Sequence, residues 1–219
     1  MLEVIDLKHA YNKDRYVLKG INAKFEQGKI YAILGESGGG KTTLLSLLGG
    51  LDEPTSGEIK INGKKITSGD LLNYRKNNVA FIFQSFNLID YLTPAENVRL
   101  STEDSPFPIL EQVGLTKEEA TRSVLRLSGG QQQRVAIARA LASTANILLA
   151  DEPTGNLDEE TATVIIELLK SSVIAKKKCM IVVTHSKELA EHADVVLNLK
   201  NGELKEINLC DGGNENEKI

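Results

Sequence analysis

The chain of 219 residues has few cysteines and histidines and no long apolar run. Its two cysteines, Cys179 and Cys210, lack the spacing of metal ligands, and Cys179 lies beside an apolar stretch, as a reduced core residue would. No window reaches the roughly 18 consecutive apolar residues that a membrane-spanning helix needs. The first residues alternate like a strand and lack the layout of a signal peptide. We therefore expect a cytoplasmic protein that reaches a membrane only through a partner.

A strong excess of one charge is also missing. The 26 lysines and arginines are outnumbered by 30 aspartates and glutamates, which gives a net charge of −4. A basic surface is the usual electrostatic mark of proteins that bind DNA or RNA, so we expect no nucleic-acid partner. The length suits one sizeable core with a smaller subdomain attached to it.

Short apolar runs alternate with helical patterns along most of the chain. Four runs are typical of strands that are buried on both faces: Ile30–Leu34, Val79–Phe83, Ile147–Ala150 and Met180–Val183. Helices are predicted over residues 41–48, 130–142 and 159–172. This alternation predicts an α/β fold with a mainly parallel sheet and helices on both of its faces.

Three regions depart from that alternation. Residues 1–25 alternate between apolar and polar side chains, which predicts an N-terminal antiparallel β subdomain. Residues 85–126 hold three of the five prolines and short amphipathic pieces, so we predict a small helical subdomain inserted at about 85–142. Residues 195–207 predict a hairpin around Asn201-Gly202. The interpretation is a single domain over 1–208, followed by a flexible tail at 209–219.

A glycine-rich loop follows the first buried strand. The stretch Gly35-Glu36-Ser37-Gly38-Gly39-Gly40-Lys41-Thr42 fits the phosphate-loop pattern G-x-x-x-x-G-K-[ST]. Its glycines let backbone N–H groups converge on phosphate oxygens, Lys41 adds a positive charge, and the Thr42 hydroxyl can ligate Mg²⁺. The alternative is a glycine-rich turn before an ordinary helix. The order of strand, loop and helix favours the phosphate loop.

Polar side chains end three other predicted strands, at the edge where parallel strands place ligand-binding groups. Asp151 suits a Mg²⁺ ligand, and Glu152 suits the polarisation of an attacking water, although the pair also fits a helix cap before Pro153. His185 suits a γ-phosphate contact, the alternative being a structural histidine. Gln84 can ligate Mg²⁺ or position water at a hinge, or simply end a strand.

A second phosphate-binding turn is predicted at Leu127-Ser128-Gly129-Gly130-Gln131. A short Ser-Gly-Gly turn that opens a helix presents free backbone N–H groups and the positive end of the helix dipole. One chain therefore carries two phosphate-binding turns, and this duplication requires an explanation.

Taken together, residues 1 to about 208 resemble the nucleotide-binding subunit of an ATP-binding-cassette (ABC) transporter. In this resemblance, residues 35–42 are the Walker A loop, Gln84 is the Q-loop, 127–131 is the signature motif and 147–151 is Walker B. The remaining matches are Glu152 as the catalytic glutamate, Asn156-Leu157-Asp158 as the D-loop, His185 as the switch histidine and Tyr11 as the aromatic that stacks on adenine. Tyr16 is a weaker candidate for that last role.

The resemblance implies an ATP-binding and ATP-hydrolysing subunit with ATP and Mg²⁺ as cofactors. Catalysis would fall to Lys41, Gln84, Glu152 and His185, and Mg²⁺ would be bound by Thr42, Gln84 and Asp151. The nucleotide would be bound by Tyr11, Gly35, Ser37, Gly38, Gly39, Gly40, Lys41, Thr42, Thr43, Gln84, Ser128, Gly129, Gly130, Gln131 and Asp158.

The resemblance also implies partners. Two subunits would meet head to tail, with ATP between Walker A of one and the signature turn of the other, which explains the duplication. An integral membrane permease would hold the dimer at the inner face of the cell membrane. Motif details look like the group that serves macrolide export, lipoprotein release and antimicrobial-peptide resistance. Against that group, the segment from Gln84 to Leu127 is shorter by a helix, and Val124 stands in place of a proline.

Two functional interpretations share every one of these motifs. The first is a transport ATPase, active in export or peptide resistance. The second is a signalling or mechanical ATPase of the cell-division type, which works a membrane partner without moving a solute. A third class acts on DNA or ribosomes and would carry a coiled-coil insertion or a tandem cassette. This short acidic chain has neither feature.

Overall fold

The computed structural model of the protein describes residues 1–12 and 15–208, so the predicted tail and Cys210 lie outside the described residues. The strands are β1 (Leu2–Asn12), β2 (Arg15–Phe25), β3 (Ile30–Leu34), β4 (Ser56–Ile61), β5 (Lys64–Lys65), β6 (Val79–Ile82), β7 (Ile147–Asp151), β8 (Cys179–Val183), β9 (Val195–Lys200) and β10 (Glu203–Ile207). The helices are α1 (Lys41–Leu48), α2 (Leu71–Asn78), α3 (Pro94–Arg99), α4 (Phe107–Gln112), α5 (Lys117–Thr121), α6 (Gly129–Ala142), α7 (Glu159–Ala175) and α8 (Lys187–Glu191).

The strands form two sheets, as the sequence predicted. The larger sheet has the order β10-β9-β3-β8-β7-β6, and all its pairs are parallel except the hairpin of β9 and β10. The smaller sheet, β2-β1-β4-β5, is antiparallel. In the part of the chain that the structure describes, no helix combines the length and apolar character needed to cross a bilayer.

The large sheet divides the core into two layers because successive side chains on a strand point to opposite faces. Ala32, Leu148 and Val182 pack in one cluster with apolar residues of α6 and α7. Ile33 and Leu149 pack in the other cluster, which contains α1 and the inner face of the small sheet. The expectation of helices on both faces is therefore confirmed, with α6 and α7 on one face and α1 on the other, where the antiparallel sheet also packs.

The first strand differs from the simple alternation expected of it. Leu2 and Val4 are buried, but Ile5 is 40% exposed, and the pairing of β1 with β2 shifts between Val4 and Leu7. Asp6 has a left-handed φ of 43°, which marks a β-bulge at this point. The extra residue returns Leu7 to the buried face, so β1 keeps one apolar side over its whole length.

Three short helices, α3 to α5, lie in the chain between β6 and α6. A capping box starts α3, α5 and α6, through the pairs Thr93 with Glu96, Thr116 with Glu119 and Ser128 with Gln131. In each pair the hydroxyl of the first residue accepts a hydrogen bond from the backbone N–H of the second. The side-chain oxygen of the second residue accepts one from the backbone N–H of the first. Helix α6 packs against α3 and α4 on one side and against β6 on the other. It therefore joins the short helices to the large sheet, while the predicted subdomain bounds of 85–142 stay a prediction.

Two lysines from the turn before β8 lie at the C-terminal end of α6. Lys176 Nζ donates to the carbonyl of Leu141 at 3.0 Å, and Lys178 Nζ donates to those of Ser143 and Ala145. Cations at this end of a helix oppose the negative end of its dipole. Lys178 is only 3% exposed, and its burial, together with the charge of Lys176, lowers its pKa to about 8.

This burial predicts a pH dependence of stability. An unfolded lysine has a pKa near 10.5, so between pH 8 and pH 10.5 the unfolded chain holds a proton that native Lys178 has released. Stability rises with pH wherever the unfolded state binds more protons. The stability of the wild type relative to Lys178→Met should therefore rise by about 1–3 kcal/mol across this range. Urea unfolding at several pH values measures the change, with the exposed neighbour substituted as Lys177→Met for control. If the difference in free energy of unfolding between the wild type and Lys178→Met stays constant across this pH range, the lowered pKa of Lys178 is wrong.

Candidate functional site

A cavity of about 530 Å³ lies at the edge of the large sheet where its parallel strands end. It gathers residues that are far apart in the sequence, contributed by β1, β2, the loop before α1, the start of α1, the segment after β6, and the ends of β7 and β8 with the segments that follow them. The residues that line it are Tyr11, Val17, Ser37, Gly38, Gly40, Lys41, Thr42, Thr43, Gln84, Asp151, Glu152, Gly155, Asn156, Val183 and His185. Eleven of these had been predicted as site residues from the sequence, all of them except Val17, Gly155, Asn156 and Val183.

Two glycines shape the loop between β3 and α1. A Cβ atom on Gly35 would lie 2.4 Å from the carbonyl oxygen of Leu199, so only glycine fits there. Gly40 precedes α1 in the left-handed conformation, with φ 95°. The loop folds back over Lys41, whose Nζ donates to the carbonyls of Gly35 at 2.7 Å and Glu36 at 2.9 Å. These partners carry no net charge, so the buried ammonium keeps its positive charge available for a phosphate.

Oxygen ligands for a divalent cation lie beside this loop. Thr42 Oγ1 donates a hydrogen bond to Asp151 Oδ2 at 2.8 Å, which joins the start of α1 to the end of β7. Gln84, in the loop after β6, lines the same cavity. Hydroxyl, carboxylate and amide oxygens are the hard ligands that Mg²⁺ prefers. The donor set therefore fits this ion.

Glu152 has a strained backbone that is fixed by the neighbouring strand. Its φ is 46°, a left-handed value that is costly for any residue other than glycine, and its N–H donates to the carbonyl of Val183 at 2.9 Å. Oε2 accepts bonds from Thr184 Oγ1 at 3.2 Å and from the His185 N–H at 3.3 Å. Oε1 is buried without a hydrogen-bond partner and lies 3.6 Å from His185 Nε2. That imidazole nitrogen also lies 3.4 Å from Lys41 Nζ, so the three groups form one cluster.

The two candidate adenine-stacking tyrosines lie in different places. The ring of Tyr11 lines the cavity and is 63% exposed, and its hydroxyl is 2.9 Å from Thr43 Oγ1 in α1. Its position is also set by His9, whose buried ring meets it edge-on with centroids 4.8 Å apart. Tyr16 instead lines a neighbouring cavity of about 520 Å³. The geometry favours Tyr11. Gly35 and Gly39, both predicted to bind nucleotide, also line the neighbouring cavity rather than the first one.

The signature turn lies elsewhere. Ser128 caps α6, accepting from the Gln131 N–H at 3.3 Å, and the Gln131 side chain accepts from the Ser128 N–H at 2.9 Å. Within the described ranges 1–12 and 15–208, the lining of the first cavity includes none of the predicted residues Ser128, Gly129, Gly130 and Gln131.

The D-loop aspartate also lies outside this lining. Asp158 caps α7, and two hydrogen bonds from Thr161 lower its pKa. Its proposed contact with a nucleotide stays a prediction, as do those of the signature turn.

One buried side chain near the site was missed by the sequence analysis. Gln133 in α6 is fully buried, and its Nε2 donates to the carbonyl of Pro153 at 2.9 Å, directly after Glu152. Gln133 precedes Ile137 by four residues and Ala140 by seven, so it shares their buried face of the helix. The sequence pattern could have revealed Gln133, because a glutamine on an apolar helix face is expected to be buried. A buried amide requires a hydrogen-bond partner, so a contact with another segment could have been predicted.

Comparisons with known proteins identify the family of the chain. The family model described as ABC transporter matches residues 18–155. The lipoprotein-releasing system ATP-binding protein LolD of Legionella pneumophila is 42% identical over 201 residues, covering 86% of this chain and 88% of that protein. The macrolide export ATP-binding/permease protein MacB of Mannheimia succiniciproducens is 38% identical over 223 residues, covering 93% of this chain and 34% of that longer protein.

Solved structures of a third relative match the whole fold. The dimeric structure of MJ0796, an ABC transporter cassette, superposes with a TM-score of 0.88 at 37% identity, covering 95% of this chain and 99% of that one. MJ0796 is a protein of Methanocaldococcus jannaschii. Its dimeric post-hydrolysis state bound to ADP and Pi superposes with a TM-score of 0.87 at 35% identity and the same coverage. The chain belongs to the ABC transporter family and is an ATP-binding subunit whose ATP hydrolysis energises a transporter.

Proposed function

We propose that two copies of this subunit close head to tail around two ATP molecules and drive a separate membrane permease. One observation carries the proposal. The signature turn opens α6 with backbone N–H groups that have no partner within the helix, yet among the described residues it does not line the cavity that contains the phosphate loop of its own chain. A second copy supplies the missing surface. The MJ0796 cassette, a relative with the same fold, has been solved as a dimer.

The dimer forms only with nucleotide because the nucleotide completes the contact. Gly129 and Gly130 occupy the first turn of α6, where backbone N–H groups have no partner within the helix. In the closed dimer these N–H groups and the Ser128 hydroxyl bind the γ-phosphate held by Lys41 of the other copy. A ligand that binds only the closed state shifts the equilibrium toward that state. Hydrolysis removes the bridging γ-phosphate, and the copies separate.

Mg²⁺ is the metal that this site would hold. Thr42 and Asp151 already lie within hydrogen-bond distance of each other, and Gln84 lies in the same lining. Mg²⁺ is bound in such sites by one or two protein oxygens together with the phosphates. When bound, it neutralises the negative charge that develops on the phosphate oxygens.

The chemical step is the attack of water on the γ-phosphorus. Glu152 takes a proton from this water as the bond from the γ-phosphorus to the bridging oxygen breaks, and ADP and phosphate are the products. The unpartnered Oε1 of Glu152 is the oxygen available for that proton. Lys41 and His185 stabilise the charge on the γ-phosphate, and Tyr11 stacks on the adenine.

The proposed partner is an integral membrane permease, which would hold the subunit at the inner face of the cell membrane. Export is the favoured direction of transport because two relatives are named for lipoprotein release and for macrolide export. The second candidate is a mechanical role without a solute, which uses the same residues.

Substitution of the general base separates binding from hydrolysis. Glu152→Gln keeps the shape of the side chain and removes its basicity, so ATP binding should persist while turnover falls by about 10²-fold or more. The protein should then accumulate as an ATP-bound dimer. Phosphate release and size-exclusion chromatography with ATP measure the two effects. Glu160→Gln, an exposed change in the first turn of α7, is the control. If Glu152→Gln hydrolyses ATP at the wild-type rate, Glu152 is not the base.

Substitution in the signature turn tests whether the phosphate loop of one copy and the signature turn of the other form one nucleotide site. Ser128→Arg, made in the Glu152→Gln background, should bind ATP as a monomer and form no dimer, because a bulky side chain blocks the turn. Thr116→Arg is the matched control, since Thr116 caps α5 with the same type of capping box. Light scattering with ATP distinguishes monomer from dimer. A Ser128→Arg protein that still forms the ATP-dependent dimer would exclude this arrangement.

The role of the permease is tested by reconstitution. The subunit is purified with its membrane partner and placed in vesicles, and ATP hydrolysis is measured with and without candidate solutes. We expect a transported solute to raise the rate of hydrolysis and to cross the membrane only with ATP. A membrane partner that stimulates hydrolysis and contains no transport path would instead support the mechanical role.

A further inference from the structure

Two consecutive residues after β6 have left-handed backbones. Phe86 has φ 62° and Asn87 has φ 48°, and neither is a glycine. This conformation is unfavourable for phenylalanine and better tolerated by asparagine, so Phe86 persists in it only when the surroundings hold it in place. The pair lies two and three residues after Gln84, which lines the catalytic cavity. The position of Gln84 therefore depends on whatever holds this turn.

The group that holds the turn is Arg139 in α6. Its Nη1 donates to the carbonyl of Asn87 at 2.6 Å, and its Nη2 donates to the carbonyl of Phe86 at 2.9 Å. The planar fork of a guanidinium suits two neighbouring acceptors, and bonds from a charged donor are the stronger kind. Each of the two strained residues thus has its carbonyl fixed by the same side chain.

The same turn also lies near the signature motif. A Cβ atom placed on Gly129 would lie 4.0 Å from Cζ of Phe86, so the phenylalanine ring approaches the first residue of α6. Arg139 lies ten residues further along this helix. The Phe86–Asn87 turn is therefore attached to α6 by its two carbonyls, and the ring of Phe86 lies near the start of the same helix.

We propose that Arg139 is a positioning residue for Gln84. It fixes the strained turn to the signature helix, so that a movement of the signature turn moves Gln84 in the catalytic cavity. Among the described residues Arg139 does not line the cavity, so it acts through the turn. The inference rests on the proposed role of Gln84 at the metal and the attacking water. Signature helix and cavity are then coupled within one chain, in addition to their contact across the dimer.

If Arg139 has a purely structural role, its loss should act like the loss of any other arginine that ties α6 to the rest of the chain. Arg134 is the matched control for this comparison. Arg134 also lies in α6, and its Nη1 donates to the carbonyls of Val113 at 2.9 Å and Gly114 at 2.7 Å. Both arginines therefore tie α6 to backbone carbonyls, but those that Arg134 reaches lie at the end of α4, and among the described residues Val113 and Gly114 do not line the cavity. Loss of either arginine removes the same kind of interaction.

The first experiment compares Arg139→Gln with Arg134→Gln in the full-length protein. We expect Arg139→Gln to lower kcat by about tenfold and to raise the Mg²⁺ concentration for half-maximal activity, with KM for ATP unchanged. Arg134→Gln should leave the Mg²⁺ requirement at its wild-type value, whatever it does to the melting temperature. Arg139→Lys keeps the positive charge and loses the two-pronged guanidinium, so its kcat and Mg²⁺ requirement should lie between those of the wild type and Arg139→Gln. It replaces Arg139→Gln in the comparison if that variant does not fold.

A second variant tests the mechanism itself. Glycine adopts the left-handed conformation without strain, so Asn87→Gly added to Arg139→Gln should restore part of kcat and of the Mg²⁺ response. Failure of this rescue, or equal Mg²⁺ responses in Arg139→Gln and Arg134→Gln, would overturn the proposal. Gln84→Ala separates the two levels of inference. If Gln84→Ala leaves the Mg²⁺ response unchanged, the role of Gln84 is wrong; if only Arg139→Gln leaves it unchanged, the coupling is wrong.

Discussion

The hydrogen-bond register of the parallel strands is the constraint on which the site depends. Ile33 on β3 pairs with Val183 on β8, and Val183 in turn pairs with Asp151 on β7. These pairs place the ends of three strands in one line, so the phosphate loop, Asp151 and His185 leave the sheet side by side. A shift of one residue on any strand would turn its buried side chains to the opposite face. The apolar layers on both sides of the sheet therefore protect the alignment of the catalytic groups.

Three residues with left-handed backbones lie where these strands end. Glu152, Phe86 and Asn87 all have left-handed φ values, and each is held by bonds from another element. Strained residues of this kind mark functional positions because the fold must stabilise them from outside. The holding contacts come from β8 for Glu152 and from α6 for the other two. Helix α6 also holds Pro153 through Gln133, so one helix contacts the chain on both sides of the cavity.

The sequence predicted the elements whose evidence is local. Short apolar runs located β3, β6, β7 and β8, and the glycine pattern located the phosphate loop between β3 and α1. Contacts between distant residues left no local signal, so the carbonyl contacts of Arg139 and the bulge beside Ile5 were not predicted. The separation of the signature turn from the cavity followed from the family resemblance, because residue spacing alone does not indicate which surface a loop faces.

The two lysines at the C-terminal end of α6 change the electrostatic potential around the N-terminal end of that helix. A bare helix is a dipole, and its two ends partly cancel when viewed from afar. Lys176 and Lys178 offset the negative end, which leaves the positive end at Ser128 without a counterpart. The potential of an uncompensated charge falls with the first power of distance, whereas that of a dipole falls with the second. A negative charge that approaches Ser128 is therefore attracted from further away, up to the screening length of about 8 Å set by physiological salt.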